Sequence, residues 1–209
     1  MKAIMISIKP KWCADIMNGY KTIEVRKNKA LASAIQKIVD ENGYADIYVY
    51  CSKNNKKHHH LIKVMDIMTE KTEYESDFYI SNSDYLDYCY DCKVAFKFHC
   101  YKVEKFPYIS DEYDKLIGSC LSEKELLDYS TEKFENGIRF VKTIYAIHIS
   151  DLEIFDKPKK LKEFWTVGKH CKHKNKPDKD MYCDFCYHYD CIGNNFTKAP
   201  QNFYYVEVE

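Results

Sequence analysis

The chain has 209 residues, enough to bury a real core as one domain or as one domain with a small appendage. Its 45% hydrophobic and 31% charged residues are those of a folded globular protein and exclude intrinsic disorder. Basic and acidic residues balance at 32 each, so no global positive field draws the protein onto nucleic acid, and such binding would need a local patch.

Met1 to Ile8 reads as a first strand. It is too short for a signal-peptide core and carries no cleavage pattern. Pro10 suits a first helical position, and Trp12, Ile16 and Met17 share one face of a helix over 10–18. Asn18-Gly19 ends it, because glycine accepts the left-handed backbone of a C-terminal cap. A second strand over 22–27 follows, with Ile23 and Val25 pointing one way and Thr22, Glu24 and Arg26 the other. An acid, a base and a hydroxyl on one strand face, just after Lys21, can line a polar cleft. Arg26 is conspicuous there, since the chain holds only one other arginine, Arg139, and lysine lacks the rigid donor fork of a guanidinium.

Leu31, Ala34, Ile35, Ile38 and Val39 follow helical spacing, and Asn42-Gly43 supplies the stop. Asp46 to Cys51 alternates as a strand with Ile47, Val49 and Cys51 on one face. Lys53 to His60 reads as a polar loop. Asp66 to Cys92 is acidic and tyrosine-rich, with Asp77, Asp84, Asp87 and Asp91 among Tyr79, Tyr85, Tyr88 and Tyr90. With no clear period it reads as part of an insertion spanning about 53–92. Lys93 to Val103 alternates as a strand with Val94, Phe96, Phe98 and Cys100 on one side. Ser122 and Glu125 form a capping box before Leu126-Leu127. Thr143 to Ile149 is a strand, Pro158 to Trp165 contains a short helix, and Phe203 to Val208 closes the chain as a strand. Strands separated by dissimilar helices, without regular alternation, favour an α+β barrel over a doubly wound sheet. Phosphate-binding glycine loops, G-x-S-x-G elbows and H-E-x-x-H helices are absent.

No stretch approaches the apolar length of a membrane span, so no membrane contact and a cytoplasmic location are expected. Ten cysteines in a reducing compartment more often bind metal than form bridges. Residues 168–195 gather Cys171, Cys183, Cys186 and Cys191, interleaved with His170, His173 and His188. The Cys183-x-x-Cys186 knuckle lets both sulfurs reach one tetrahedral ion. A structural zinc on these four thiolates is expected, with a histidine able to replace an outer cysteine. Four thiolates leave no open position for water, which argues against catalytic zinc. Lysines flanking this section, from Lys157 to Lys179, offset the thiolate charge, form a phosphate patch, or make up a solvated face. Cys89 and Cys92 form a second C-x-x-C without an evident partner pair and read as ordinary thiols. His58-His59-His60 reads as a solvated loop.

The run Gly19-Tyr20-Lys21-Thr22-Ile23-Glu24-Val25-Arg26 resembles the G-x-K-T-x-E-x-R signature of ASCH-domain proteins in the PUA-like superfamily. Ser119-Cys120-Leu121-Ser122 with its following helix, Ile149 to Pro158, and Ala199 to Glu207 resemble stretches of a bacterial and phage branch of that family. Residues 53–92 have no counterpart, and Asn202-Phe203-Tyr204 depart from the branch's usual terminal pattern. The resemblance implies a mixed β-barrel with flanking helices over the whole chain, and a cleft beside the motif that binds RNA or modified nucleotides. One branch resembles an amidohydrolase of acylated cytidine that uses the motif lysine and a threonine two residues before the arginine. Lys21 matches the lysine, but Glu24 stands at the threonine position. Thr22 lies one strand repeat away, roughly 7 Å, and does not replace it.

Three functions follow as expectations. The first is RNA or nucleotide binding by Lys21, Thr22, Glu24 and Arg26, with Arg26 holding a phosphate or base edge and Trp12 offering a stacking face or packing into the core. The second is a hydrolase with Glu24 as general base and Lys21 or Arg26 stabilising developing charge, with His148 joining if folding brings it close. The third is a phage-type protein-interaction factor using the acidic tyrosine-rich segment. Against all three stands a Glu24–Arg26 ion pair that only fixes the fold.

Overall fold

The computed structural model describes residues 2–65, 69–81, 89–107, 109, 112–133, 139–166 and 198–207. The expected zinc ligands Cys171, Cys183, Cys186 and Cys191, the three neighbouring histidines, and Asp84, Tyr85, Asp87 and Tyr88 all lie outside these residues.

In chain order the elements begin with β1 (Lys2–Ile8), α1 (Pro10–Met17), β2 (Ile23–Arg26), α2 (Lys29–Asn42) and β3 (Ala45–Cys51). The next are β4 (His59–Met65), β5 (Thr72–Tyr79), β6 (Lys93–Cys100), β7 (Val103–Phe106), a 3-10 turn at Tyr113–Ser119 and α3 (Glu123–Ser130). Then come β8 (Thr131–Lys133), β9 (Arg139–Val141), β10 (Ile144–His148), β11 (Ser150–Lys159), a 3-10 turn at Leu161–Glu163, β12 (Trp165–Thr166) and β13 (Phe203–Glu207). Two caps are those the sequence predicts: Gly43 closes α2 at φ +84°, and Ser122 and Glu125 complete the capping box of α3. At the start of α2 the Asn28 side chain accepts from Leu31 N, a cap the sequence reading did not include.

A six-stranded sheet runs β11-β6-β3-β1-β13-β12, and a three-stranded sheet runs β2-β10-β7. β1 lies parallel to β3 and antiparallel to β13, so the two ends of the described chain meet in the middle of the large sheet. The class is α+β, as expected. The barrel is not: among the described residues the strands pair in open sheets, and no circle of pairings closes.

The large sheet is covered on both faces, which corrects the one-sided reading of β3. Ile4, Ile6, Ile8, Ile47, Val49 and Cys51 face one core with α1 and α2, while Ala3, Met5, Tyr48 and Tyr50 face a second core with Phe155 and Phe164. A strand buried on both faces loses the polar–apolar alternation that marks a half-exposed one. The β3–β6 pairing slips between Val49 and Tyr50, and Val94 therefore joins the second core while Phe96, Phe98 and Cys100 stay in the first. A bulge inserts one residue and sends everything beyond it to the other face.

Within 53–92, β4 and β5 pair as an antiparallel hairpin instead of remaining irregular, and the hairpin packs against α1. The Asn18 amide fixes it like a strand neighbour, donating to Tyr74 O and accepting from Tyr74 N, both at 2.9 Å. No helix among the described residues is long and apolar enough to cross a membrane.

Candidate functional site: a buried lysine–glutamate–arginine cluster

The end of α1 places Lys21. Gly19 takes φ +79°, and the Tyr20 and Lys21 backbone N–H groups both return to Asp15 O, at 2.8 and 2.9 Å. This wraps the chain tightly around the helix end and turns Lys21 inward. β2 then runs against the 3-10 turn and β10. Thr22 N donates to Gly118 O at 2.8 Å, Ile149 N donates to Thr22 O at 2.9 Å, and Ile23 and Val25 enter a third core with Leu116, Leu126 and Ile144.

The opposite face of β2 carries the charges. Lys21 and Glu24 are only 3% and 7% exposed. The Lys21 ammonium donates to Ser119 O at 2.7 Å, lies 3.6 Å from Glu24 Oε2, and sits 5.2 Å from the centre of the Trp12 ring. Arg26 Nε lies 2.8 Å from Glu24 Oε1, though off the line of a hydrogen bond, and its terminal NH2 donates to Ser7 O at 2.7 Å. Both Glu24 oxygens thus face a cation. Burial pushes the Lys21 pKa down, and Glu24 beside it draws it part of the way back. Asp15, behind the helix end, is pushed up by burial and pulled down by Lys11 and Lys21.

Of the predicted cleft residues, Lys21, Glu24 and Arg26 come together. Thr22 does not join them: it is exposed, and its Oγ1 lies against the 3-10 turn where a side chain at Gly118 would collide with it. Trp12 packs at the edge of the first core, the second of its two expected roles, and its ring faces Lys21 and Lys11, the latter at 4.4 Å. His148 is engaged elsewhere, its Nε2 2.6 Å from Glu104 Oε2. Beside Lys21 and Ser119 in the chain, Tyr20 and Ile117 are 67% and 61% exposed, and the Cys120 thiol donates to Tyr20 O at 3.2 Å.

All four stretches that carry the family resemblance meet here. Ser119 receives Lys21, Ile149 binds Thr22, and Pro200 O accepts from Ser7 Oγ at 2.8 Å while the Ser7 carbonyl receives Arg26. Sequence reasoning could not find Ser7 or Ser119, because both act through backbone oxygens that any residue carries. Away from this site, Cys89 is buried and Cys92 exposed, and neither forms a disulfide. Among the described residues no group of three or more His, Cys, Asp or Glu side chains is placed to hold a metal.

Fold and site together define an α+β protein with a buried cluster of two cations and one anion at the junction of its two main sheets. Comparison with family models, with curated proteins and with solved structures returned no match.

Proposed function

We propose that the protein binds RNA or a modified nucleotide at the exposed rim of the Lys21–Glu24–Arg26 cluster, in the manner implied by its resemblance to ASCH-domain, PUA-like proteins. The observation that carries this reading is the charge of the cluster. A structural ion pair needs one cation for Glu24, and Arg26 alone would serve; the second buried cation, Lys21, costs desolvation that the pair does not require. Beyond the Glu24–Arg26 pair, Lys21 and Lys11 stand against the single carboxylate of Asp15, and the remaining positive charge beside the exposed Tyr20 suits a phosphate or a carbonyl-rich base edge. The convergence of the four resembling stretches on this spot supports the family reading.

The hydrolase reading has less support. A general base needs a free oxygen facing the substrate, and both oxygens of Glu24 are turned to Lys21 and Arg26. For residues 168–195 we propose a structural zinc on Cys171, Cys183, Cys186 and Cys191, on the chemistry of a four-thiolate donor set.

Fluorescence anisotropy with a labelled single-stranded RNA, competed with modified nucleosides, tests the binding reading in wild type and Arg26→Gln. Wild type should bind more tightly than the roughly 0.1 mM of weak non-specific association. Arg26→Gln should bind at least about tenfold more weakly while keeping its near-ultraviolet circular dichroism. Equal binding by a folded Arg26→Gln, or no binding of any nucleic ligand by wild type, overturns the proposal.

A further inference from the structure

The geometry points to a second binding site: a lysine-lined groove on the other side of the first turn of α1 that takes a linear chain of phosphates. The groove, about 320 Å³, lies between Lys9–Lys11, the segment Ser52–Lys56 after β3, and Ser76–Asp77 on β5. Four lysines, Lys9, Lys11, Lys53 and Lys56, line it against a single acid, Asp77. Lys56 is committed to Asp77 at 2.5 Å, and His59 Nδ1 holds the same carboxylate at 2.7 Å. The excess positive charge therefore gathers at the end formed by Lys9, Lys11 and Lys53.

The walls are built, not merely apposed. Ser52 N donates to Ile8 O at 2.8 Å, Asn54 Nδ2 donates to Ser76 O at 2.8 Å, and Asn54 Oδ1 accepts from Lys56 N at 3.1 Å. These bonds tie the segment after β3 to β1 on one side and to β5 on the other. The start of α1 opens on the same groove, with Pro10 at its first position and no side chain capping its backbone N–H groups. Uncapped N–H groups at a helix start favour an anion. Ammonium groups on flexible stems suit a run of phosphates better than one fixed bidentate anion.

Lys11 connects the two sites. It lines the groove and stands over the Trp12 ring, whose position 5.2 Å from the Lys21 ammonium brings the ring to the edge of the cluster. The inference takes from the proposed function only the ligand's phosphate chemistry, and a free polyphosphate satisfies the groove by itself.

The test titrates tripolyphosphate and a single-stranded 12-mer RNA into wild type, Lys9→Gln/Lys53→Gln and Arg26→Gln, the RNA at several salt concentrations. Lys9 and Lys53 are exposed, so the double variant keeps the fold, as circular dichroism would verify. Tripolyphosphate should bind wild type and Arg26→Gln alike, and about tenfold or more weakly to the double variant. The RNA salt slope of the double variant should fall by about 1.4, at roughly 0.7 per lost single-strand phosphate contact. Tripolyphosphate binding without RNA binding keeps the groove and removes the nucleic-acid reading. RNA binding lost in Arg26→Gln but unchanged in the double variant keeps the nucleic-acid reading and shows that RNA does not use the groove. No tripolyphosphate binding by wild type overturns the groove.

Discussion

At Lys21 the interests of stability and binding oppose each other. Its ammonium is held by the Ser119 carbonyl, the Glu24 carboxylate and the Trp12 face, yet burial still lowers its pKa below the ordinary 10.5. In folding terms the charge is a net cost at neutral pH. Lys21→Met keeps the length and removes that cost, leaving Glu24 paired with Arg26, and should be neutral or stabilising in urea unfolding at pH 7 while abolishing ligand binding. Glu24→Ala leaves two cations buried without an anion and should cost about 3–5 kcal/mol. The pH dependence has a definite sign. Between the lowered folded pKa and 10.5, the unfolded chain still holds a proton that the folded chain has released, so rising pH stabilises the fold through this group. Buried tyrosines such as Tyr50 and Tyr90, whose pKa values burial pushes up, act in the opposite direction, but they do so equally in both proteins. The stability of wild type minus that of Lys21→Met should therefore climb as pH rises toward 10.5, and a flat difference would refute burial as the cause.

The joint between β2 and the 3-10 turn at Tyr113–Ser119 positions the whole site. Thr22 N bonds to Gly118 O, and the space a side chain would need at 118 is filled by Thr22 Oγ1, with Ile23 Cγ1 and Cδ1 each 3.3 Å from it. Gly118→Ala must displace Thr22 Oγ1 and crowd Ile23, and should cost about 1–3 kcal/mol, weakening RNA binding as well where the strain moves β2 and separates Ser119 from Lys21. An unchanged melting temperature would mean that the turn yields freely. This joint shows where the sequence was legible and where it was not. Helix α2 was readable from Leu31 to Gly43 because its apolar period and its αL glycine are both local signals. The charges of β2 were readable because a strand alternates. Gly118, 96 positions beyond Thr22, gave no sign of its role, since close approach of two backbones leaves no pattern in either segment. The groove escaped for a related reason: Lys9 and Lys53 lie 44 positions apart, and Lys53 and Lys56 are solvent-facing, as read, while also lining an open groove that no local pattern marks. The slip at Val49–Tyr50 likewise depends on both strands at once, so the placement of Val94 could not be inferred from β6 alone.

Over the whole molecule, the order of the described strands decides what holds the main sheet together. Residues 167–197 are bracketed by β12 and β13, whose pairing amounts to Trp165 opposite Glu207 and Thr166 opposite Val206. β13 itself, one strand in from the edge, is held by five residue pairs to β1, from Lys2–Glu207 to Ile6–Phe203. Breaking β1–β13 would release β13 and β12 and leave β11-β6-β3-β1 paired, so most of the described sheet does not depend on the β12–β13 edge. If the four thiolates hold zinc, the metal stabilises its own section and adds little to the main transition, because metal binding free energy enters folding only where the ligands are part of the cooperative unit. Protein purified from zinc-replete medium should carry about one zinc per chain by atomic emission, and Cys183→Ser/Cys186→Ser should carry none. Chelation should remove the ion while moving the melting temperature by less than about 2 °C, within what a fraction of a kcal/mol produces in a chain of this size. A zinc-free wild type would end the metal assignment. A zinc-bearing protein that unfolds throughout on chelation would keep the metal and show instead that the β12–β13 edge anchors the sheet.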